Sequence, residues 1–157
     1  MNSFESLYES NVDKLFSYCL YKTGSRRDAE DLTSESFMKF LAHQGMTKDN
    51  PKAFLWTIAR NTVTDFYRTR HPQVSLETLV ESGQDPVTFT DPLRHVLVQE
   101  VYEKMQMLPE DQKDVLLLHY VQDLDNKTIA LMLHKTEGAV KALAYRGLEA
   151  LRTMYKE

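Results

Sequence analysis

Cationic, amide and aromatic side chains lie between residues 56 and 68. Side chains of these three kinds are the ones that bind single-stranded nucleic acids. A helix that starts at the Asn50–Pro51 cap would expose them on one face: Trp56, Arg60, Asn61, Thr64, Tyr67 and Arg68. Aromatic rings stack on unpaired bases, and cationic side chains follow the sugar-phosphate backbone. For Trp56 the sequence leaves two interpretations open, a contact with bases or an anchor of the protein core.

The stretch from Leu108 to Arg152 predicts three successive helices joined by short turns. In the first, Pro109 is expected in the opening turn, and the apolar run up to Val121 is expected to be buried. Asp125 and Thr136 are the predicted caps of the second and third. The third repeats apolar residues every three or four positions, which are expected to face inward: Val140, Leu143, Ala144, Leu148, Leu151 and Tyr155.

The second and third of these helices have the lengths of a helix-turn-helix, the unit that lays a helix in the major groove. Duplex DNA is therefore the leading candidate ligand of the C-terminal segment. An ordinary helical bundle with a solvated charged face is the alternative that this segment leaves open.

Three helices are also predicted at the N-terminus, from about Ser3 to Tyr21, from Arg26 to His43, and from Pro51 onward. Ser25 and Asp28 form a candidate capping pair for the second helix. That helix has an apolar face, and its acidic residues recur at positions i, i+3 and i+7 on another face: Asp28, Asp31 and Glu35.

Three of the five prolines fall between His71 and His95, where prolines at this density prevent a long helix. The same segment is acidic, so the sequence predicts a linker with at most a short turn around residues 76–80. The sequence therefore predicts an all-α protein of two small helical domains, residues 1–70 and 93–157, joined by an acidic, proline-containing linker, residues 71–92.

The charge distribution favours DNA contact at two places only. The chain of 157 residues has a net charge of −4, yet residues 52–70 and 127–157 each have a surplus of three positive charges. Local cations determine phosphate binding, but an acidic body predicts weak affinity for naked DNA and the need for a partner. The sequence indicates no catalytic constellation, metal site or cofactor. The single cysteine, Cys19, and the lack of a signal peptide or membrane segment favour the cytoplasm.

Two segments, RRDAEDLTSESFMKF and KAFLWTIARNTVTDFYRTR, resemble region 2 of bacterial sigma factors of the extracytoplasmic-function (ECF) group. The C-terminal stretch resembles region 4 of the same family. The resemblance implies a sigma factor that is not an enzyme. Such a protein binds core RNA polymerase, directs it to promoter DNA and helps to open the −10 region, and it is nucleoid-associated when active. An anti-sigma factor is an expected further partner.

The resemblance also implies a role for each candidate residue. The second helix would bind core polymerase through Asp28, Asp31, Glu35, Phe37 and Met38. The loop from Gln44 to Lys52 and the helix after it would read the −10 element, through Lys52, Trp56, Arg60, Asn61, Thr64, Tyr67 and Arg68. The last helix would read the −35 element, through Lys135, Thr136, Lys141, Tyr145 and Arg146.

The last helix departs from the family pattern Gly-Thr-Val-Lys-Ser-Arg, because Ala139, Ala142 and Leu143 replace two hydroxyls and a cation. His134 stands where the family has glycine, and histidine tolerates a left-handed backbone better than most residues. Two alternatives therefore stay open: a sigma-like DNA-binding regulator that does not initiate transcription, and an interaction module that binds an anti-sigma factor.

Overall fold

The computed structural model describes residues 3–70 and 92–156. Those residues contain seven α-helices and no strand, which confirms the all-α prediction. The chain divides into two compact units. The division falls among residues 71–91, outside the described residues, and so does the short turn predicted near residues 76–80. Pro92, which the sequence placed in the linker, begins a helix.

The N-terminal unit is a three-helix bundle of α1 (Ser3–Thr23), α2 (Arg26–Ala42) and α3 (Pro51–Arg70). Its predicted caps are confirmed. The Ser25 hydroxyl accepts a hydrogen bond from the Asp28 amide at 3.2 Å, and the Asn50 side chain accepts one from the Ala53 amide at 3.1 Å. Each cap satisfies an amide that the first helical turn leaves without a partner.

A short 3₁₀ turn, Gly45–Thr47, joins α2 to α3 and packs directly against the core. A Cβ atom at Gly45 would overlap the ring of Phe40, which is fully buried. Glycine is therefore required at position 45, because the backbone is in direct contact with an aromatic ring and leaves no space for a side chain. This close contact fixes the path by which the chain enters α3.

The C-terminal unit contains α4 (Pro92–Met105), α5 (Glu110–Leu116), α6 (Asn126–Leu133) and α7 (Glu137–Tyr155). Pro109 is the residue before α5 rather than part of its first turn, a small correction to the prediction. A π-helical turn, Leu117–Val121, follows α5, and the Gln122 amide donates to the Leu117 carbonyl at 3.0 Å. The wider turn leaves Val121 exposed and His119 half-buried, although the sequence placed both in a buried helix.

The helix-turn-helix geometry of α6 and α7 agrees with the sequence. Asp125 accepts a hydrogen bond from the Thr128 amide at 2.7 Å, and Thr136 accepts one from the Ala139 amide at 3.0 Å. Between the helices His134 adopts the left-handed conformation, with φ 57°. The predicted caps and the predicted tolerance of histidine at the turn are both confirmed.

The packed face of α7 is narrower than the sequence predicts. Val140 is fully buried, but Leu148 and Tyr155, which were expected to face inward, are 37% and 49% exposed. A Cβ atom at Gly147 would lie 2.9 Å from the Leu116 Cδ1 atom, so α7 packs closely against α5 at this glycine. This contact excludes a larger side chain at position 147.

Candidate nucleic-acid and partner interfaces

The outer face of α3 presents polar side chains along two helical turns. Asn61, Thr64 and Arg68 are exposed, and Arg60 is half-buried beside them. The Thr64 hydroxyl donates to the Arg60 carbonyl at 2.9 Å, so it is tied to its own helix. Arg68 Nη1 lies 3.8 Å from Asp65 Oδ1 at the exposed surface, where such a pair stabilises little. The structure thus brings these predicted −10 residues onto one face of one helix.

Lys52 and Tyr67 are also on α3, but they are half-buried. Lys52 lines a shallow groove between α1 and the start of α3, together with Lys14 and Met46. Burial raises the pKa of the Tyr67 hydroxyl to about 12, so the side chain stays neutral at physiological pH. Tyr67 can therefore donate a hydrogen bond from its hydroxyl but cannot act as an anion.

Trp56 belongs to the core, and the expectation that α3 exposes it is wrong. Its side chain is fully buried, and its indole Nε1 donates a hydrogen bond to Asn11 Oδ1 at 3.1 Å. The ring meets Tyr18 edge-on, with 5.7 Å between ring centroids. A buried indole with a satisfied N–H is the usual state of a core tryptophan. Of the two interpretations that the sequence left open, the structure favours the core anchor.

The acidic face of α2 is at the surface. Asp31 and Glu35 are exposed and Asp28 is half-buried. Glu35 Oε2 lies 2.9 Å from Lys39 Nζ one turn later, and Lys39 also donates to Thr62 Oγ1 of α3 at 3.4 Å. Lys39 therefore links the acidic face of α2 to the helix that carries the predicted −10 residues.

Beside this acidic face lies an apolar surface that the sequence anticipated only in part. Met38 is 70% exposed, as the predicted contact with polymerase requires, and Leu41 is exposed as well. Leu41 was not among the predicted contact residues, although it lies three residues after Met38 on the same helix. A shallow groove runs along this part of α2 and is lined by Asp31, Ser34, Glu35, Met38, Lys39 and Ala42.

Phe37, predicted to bind polymerase, packs inside the N-terminal unit instead. Its side chain is only 5% exposed. Its ring lies 4.8 Å from the ring of Tyr8 and meets Phe4 edge-on at 6.3 Å, centroid to centroid. Phe37 therefore stabilises the packing of α1 on α2, and its burial argues against the predicted contact with polymerase.

The predicted −35 residues fall into two groups. Lys141, Tyr145 and Arg146 are exposed on α7. Thr136 is also exposed, but its hydroxyl serves as the helix cap, and Lys135 is half-buried with its Nζ atom 3.4 Å from Asp111 Oδ2. Four of the five residues are thus exposed, and two of the five, Thr136 and Lys135, already make contacts within the unit.

Two kinds of site were searched for in the described part of the chain, a metal-binding cluster and a membrane-spanning helix. Residues 3–70 and 92–156 contain no cluster of histidine, cysteine and acidic side chains that could hold a metal ion. Cys19 is buried, and burial raises the pKa of its thiol to about 12. Within the same ranges, no helix is both long and apolar enough to cross a bilayer.

Comparison with known families assigns both helical units. Residues 7–72 match the family model described as Sigma-70 region 2, and residues 98–151 match the one described as Sigma-70, region 4. The curated relatives that match nearly the whole chain are ECF RNA polymerase sigma factors. The chain belongs to the ECF group of sigma factors.

The relatives resemble this sigma factor along almost its full length. It is 28% identical over 156 residues to the ECF sigma factor BldN of Streptomyces coelicolor, covering 96% of this chain and 59% of BldN. It is 23% identical to SigM of Bacillus subtilis, with 98% and 95% of the two chains covered. The chain thus spans less than two thirds of BldN but nearly all of SigM.

A solved structure supports the fold. The sigma factor RpoE, crystallised with the anti-sigma factor NepR from Bartonella quintana, matches with a TM-score of 0.71. The match covers 99% of this chain and 98% of RpoE, at 21% sequence identity. At this identity the comparison establishes the arrangement of helices and nothing about the residues that bind partners.

Proposed function

We propose that this chain is a promoter-specificity subunit of RNA polymerase. It binds core polymerase, directs the enzyme to specific promoters and helps to open the −10 region. The observation that supports this most strongly is the presence of both sigma regions, in the family's order, on two compact helical units. It acts in the cytoplasm, at the nucleoid, and catalyses no reaction itself.

The exposed face of α2 binds core polymerase in this proposal. Asp31 and Glu35 provide negative charge, and Met38 with Leu41 provides apolar area next to it. An acidic and apolar surface of this kind suits a basic partner helix, because opposite charges steer association while apolar contact supplies affinity. Phe37 has no part in the contact, since it lies in the core.

Reversal of one charge tests this surface. Asp31→Lys is expected to weaken core binding at least about tenfold, since like charges brought together at an interface cost more than one kcal/mol. Glu9→Lys is the control, because it makes the same charge change on an exposed position of α1. Equal core affinity of both variants in a pull-down with purified core polymerase would refute the role of α2.

The outer face of α3 contacts the melted −10 strand. Arg60 and Arg68 supply cations to the backbone, and Asn61, Thr64 and Tyr67 supply hydrogen-bonding groups for bases. Lys52 adds a cation where α3 begins. Because Trp56 is buried, stacking on unpaired bases is left to other side chains, and Tyr67 is a half-buried aromatic residue on this helix.

Helix α7 contacts the −35 duplex through its exposed residues Lys141, Tyr145 and Arg146. Few cations lie on this helix, and the hydroxyls of the family pattern are missing, so the duplex contact is weak. Promoter recognition then depends on simultaneous binding of core polymerase, which adds the affinity that α7 lacks.

A second candidate function is an interaction module whose region 4 binds an anti-sigma factor rather than DNA. Tyr145 and Leu148 favour it, because both are exposed apolar residues on the outer side of α7, at 67% and 37%. A sigma-like regulator without initiation activity is the third possibility. An anti-sigma factor is also expected as a partner of the promoter-specificity subunit itself.

Run-off transcription separates these functions. Transcription start sites are first mapped after forced expression, and the promoter found is then transcribed with purified core polymerase. Specific transcripts that require this chain support the promoter-specificity subunit. Core binding without any specific initiation would refute that function and favour the interaction module.

A further inference from the structure

An acidic residue of α5 pairs with the lysine at the turn of the helix-turn-helix. Lys135 Nζ lies 3.4 Å from Asp111 Oδ2. Asp111 belongs to the first turn of α5, and Lys135 directly precedes Thr136, the cap of α7. The lysine side chain is 31% exposed and the aspartate side chain 53% exposed, so the pair is accessible at its edge.

The backbone around this ion pair is held by local hydrogen bonds. The Lys135 amide donates to the Ala130 carbonyl at 2.9 Å, and His134 before it adopts a left-handed conformation. Thr136 after it caps α7 through the Ala139 amide. Because the backbone is fixed on both sides, the Lys135 side chain leaves the turn in a defined direction, and in that direction it meets Asp111.

We propose that Asp111 lowers the affinity of this helix-turn-helix for duplex DNA, because its ion pair with Lys135 competes with binding of the lysine to phosphate. The inference rests on the proposed function of α7 and names its regulation. A cation next to the first turn of a recognition helix is well placed for a backbone phosphate, and each phosphate contact releases about 0.9 counterion. Lys135 must leave one anion to bind another, so its contact with phosphate adds little net neutralisation.

Asp111 thereby keeps the duplex affinity of this unit low. Its own charge adds to the effect, because a carboxylate close to the DNA-facing turn repels phosphate. Lys141 and Arg146, further along α7, remain exposed for the contact. A sigma factor weakened in this way occupies promoters together with core polymerase rather than alone.

Four full-length proteins test the inference: the wild type, Asp111→Asn, Lys135→Gln and the double variant. Binding to a fluorescein-labelled duplex of mixed sequence is measured by anisotropy between 50 and 200 mM salt. Asp111→Asn is expected to steepen the slope of log affinity against log salt by about 0.9, which is an additional fall of about 3.5-fold across that range. Lys135→Gln alone leaves the slope unchanged, and the double variant returns it to the wild-type value.

Two results would overturn the inference. One is an Asp111→Asn slope equal to that of the wild type. This holds even if the variant unfolds at a lower temperature, because a purely structural ion pair alters stability and not counterion release. The other is a slope already reduced by about 0.9 in Lys135→Gln, which would mean that the lysine contacts phosphate in the wild type.

Failure of the proposed function would look different in the same assay. Lys141→Gln and Arg146→Gln are each expected to flatten the slope whatever Asp111 does. Unchanged slopes in both of these variants, or no duplex binding by any of the proteins, would refute the duplex contact proposed for α7, and run-off transcription then decides the promoter-specificity function as a whole. A response to Lys141→Gln and Arg146→Gln without a response to Asp111→Asn would refute only the inference.

Discussion

Replacement of Asn11 by alanine tests whether Trp56 is an anchor of the core. Asn11 is 3% exposed, and its Oδ1 atom accepts the hydrogen bond from the Trp56 indole at 3.1 Å. Its Nδ2 group donates to the Leu7 carbonyl at 2.9 Å, which orients the amide. Asn11→Ala removes the acceptor while the indole N–H stays buried.

The expected loss follows from that unpaired donor. A buried polar group without a partner costs about 1–3 kcal/mol, and the better helix propensity of alanine returns about 0.5 kcal/mol. We expect a net destabilisation of about 1.5 kcal/mol. With an m value of about 1–1.5 kcal/mol/M for a unit of this size, the urea midpoint falls by about 1 to 1.5 M.

Trp56 itself is the probe for this measurement. It is the single tryptophan of the sequence, so its fluorescence reports unfolding of the N-terminal unit alone. This matters because two units need not unfold in one two-state transition. Asn61→Ala is the control, since it removes the same amide from an exposed position on α3 and is expected to change stability by less than about 0.5 kcal/mol. Equal urea midpoints for the two variants would refute the reasoning, as would quenching of native Trp56 emission by promoter DNA.

Other expected outcomes concern packing and titration. Gly147→Ala should destabilise the C-terminal unit by up to about 2 kcal/mol, because crowding of Leu116 outweighs the gain in helix propensity. Gly138→Ala, whose Cβ would lie 3.9 Å from its nearest neighbour, should not lose stability; a thermal unfolding temperature below that of Gly147→Ala would contradict this. Cys19 in the native protein should react with iodoacetamide far more slowly than in urea, and equal rates would contradict its burial. Burial raises the pKa of Cys19 from 9.0 to about 12, so the unfolded state loses the thiol proton first as pH rises. Stability should therefore fall above about pH 9, by at most about 1.4 kcal/mol per pH unit, and Cys19→Ala should lessen the fall in urea titrations.

The helix boundaries were predictable because the signals that set them are local. Ser25, Asn50, Asp125 and Thr136 each accept a hydrogen bond from an amide three residues later, an interaction that sequence spacing alone specifies. The π-helical turn was not predictable in this way. Most of the residues from Leu117 to Val121 are apolar or aromatic, and only packing of the unit determines which of them are buried.

The exposure of the candidate residues was predictable where a helix has one buried side, and less so where it has two. On α3 the buried arc includes both Leu55 and Trp56, because this helix packs against α1 as well as α2. The partner of the Trp56 indole, Asn11, lies 45 residues away in sequence, so spacing gave no sign of it. The pairing of Lys135 with Asp111 was missed for the same reason, since it joins two separate helices.

The π-helical turn changes the direction in which the chain leaves the helix that begins with α5. Each residue advances an α-helix by about 100°, so the one extra residue of a wide turn rotates the continuing chain by about that angle. Removal of a single residue between Leu117 and Val121 would convert the π-helical turn to a regular α-helical turn. It would also change the direction from which the chain reaches Asp125, the cap of α6. Natural or engineered shortening of this segment would therefore have to be matched by a lengthening before Asp125. Changes of one residue in this stretch should be rarer among functional variants than paired changes that preserve its length.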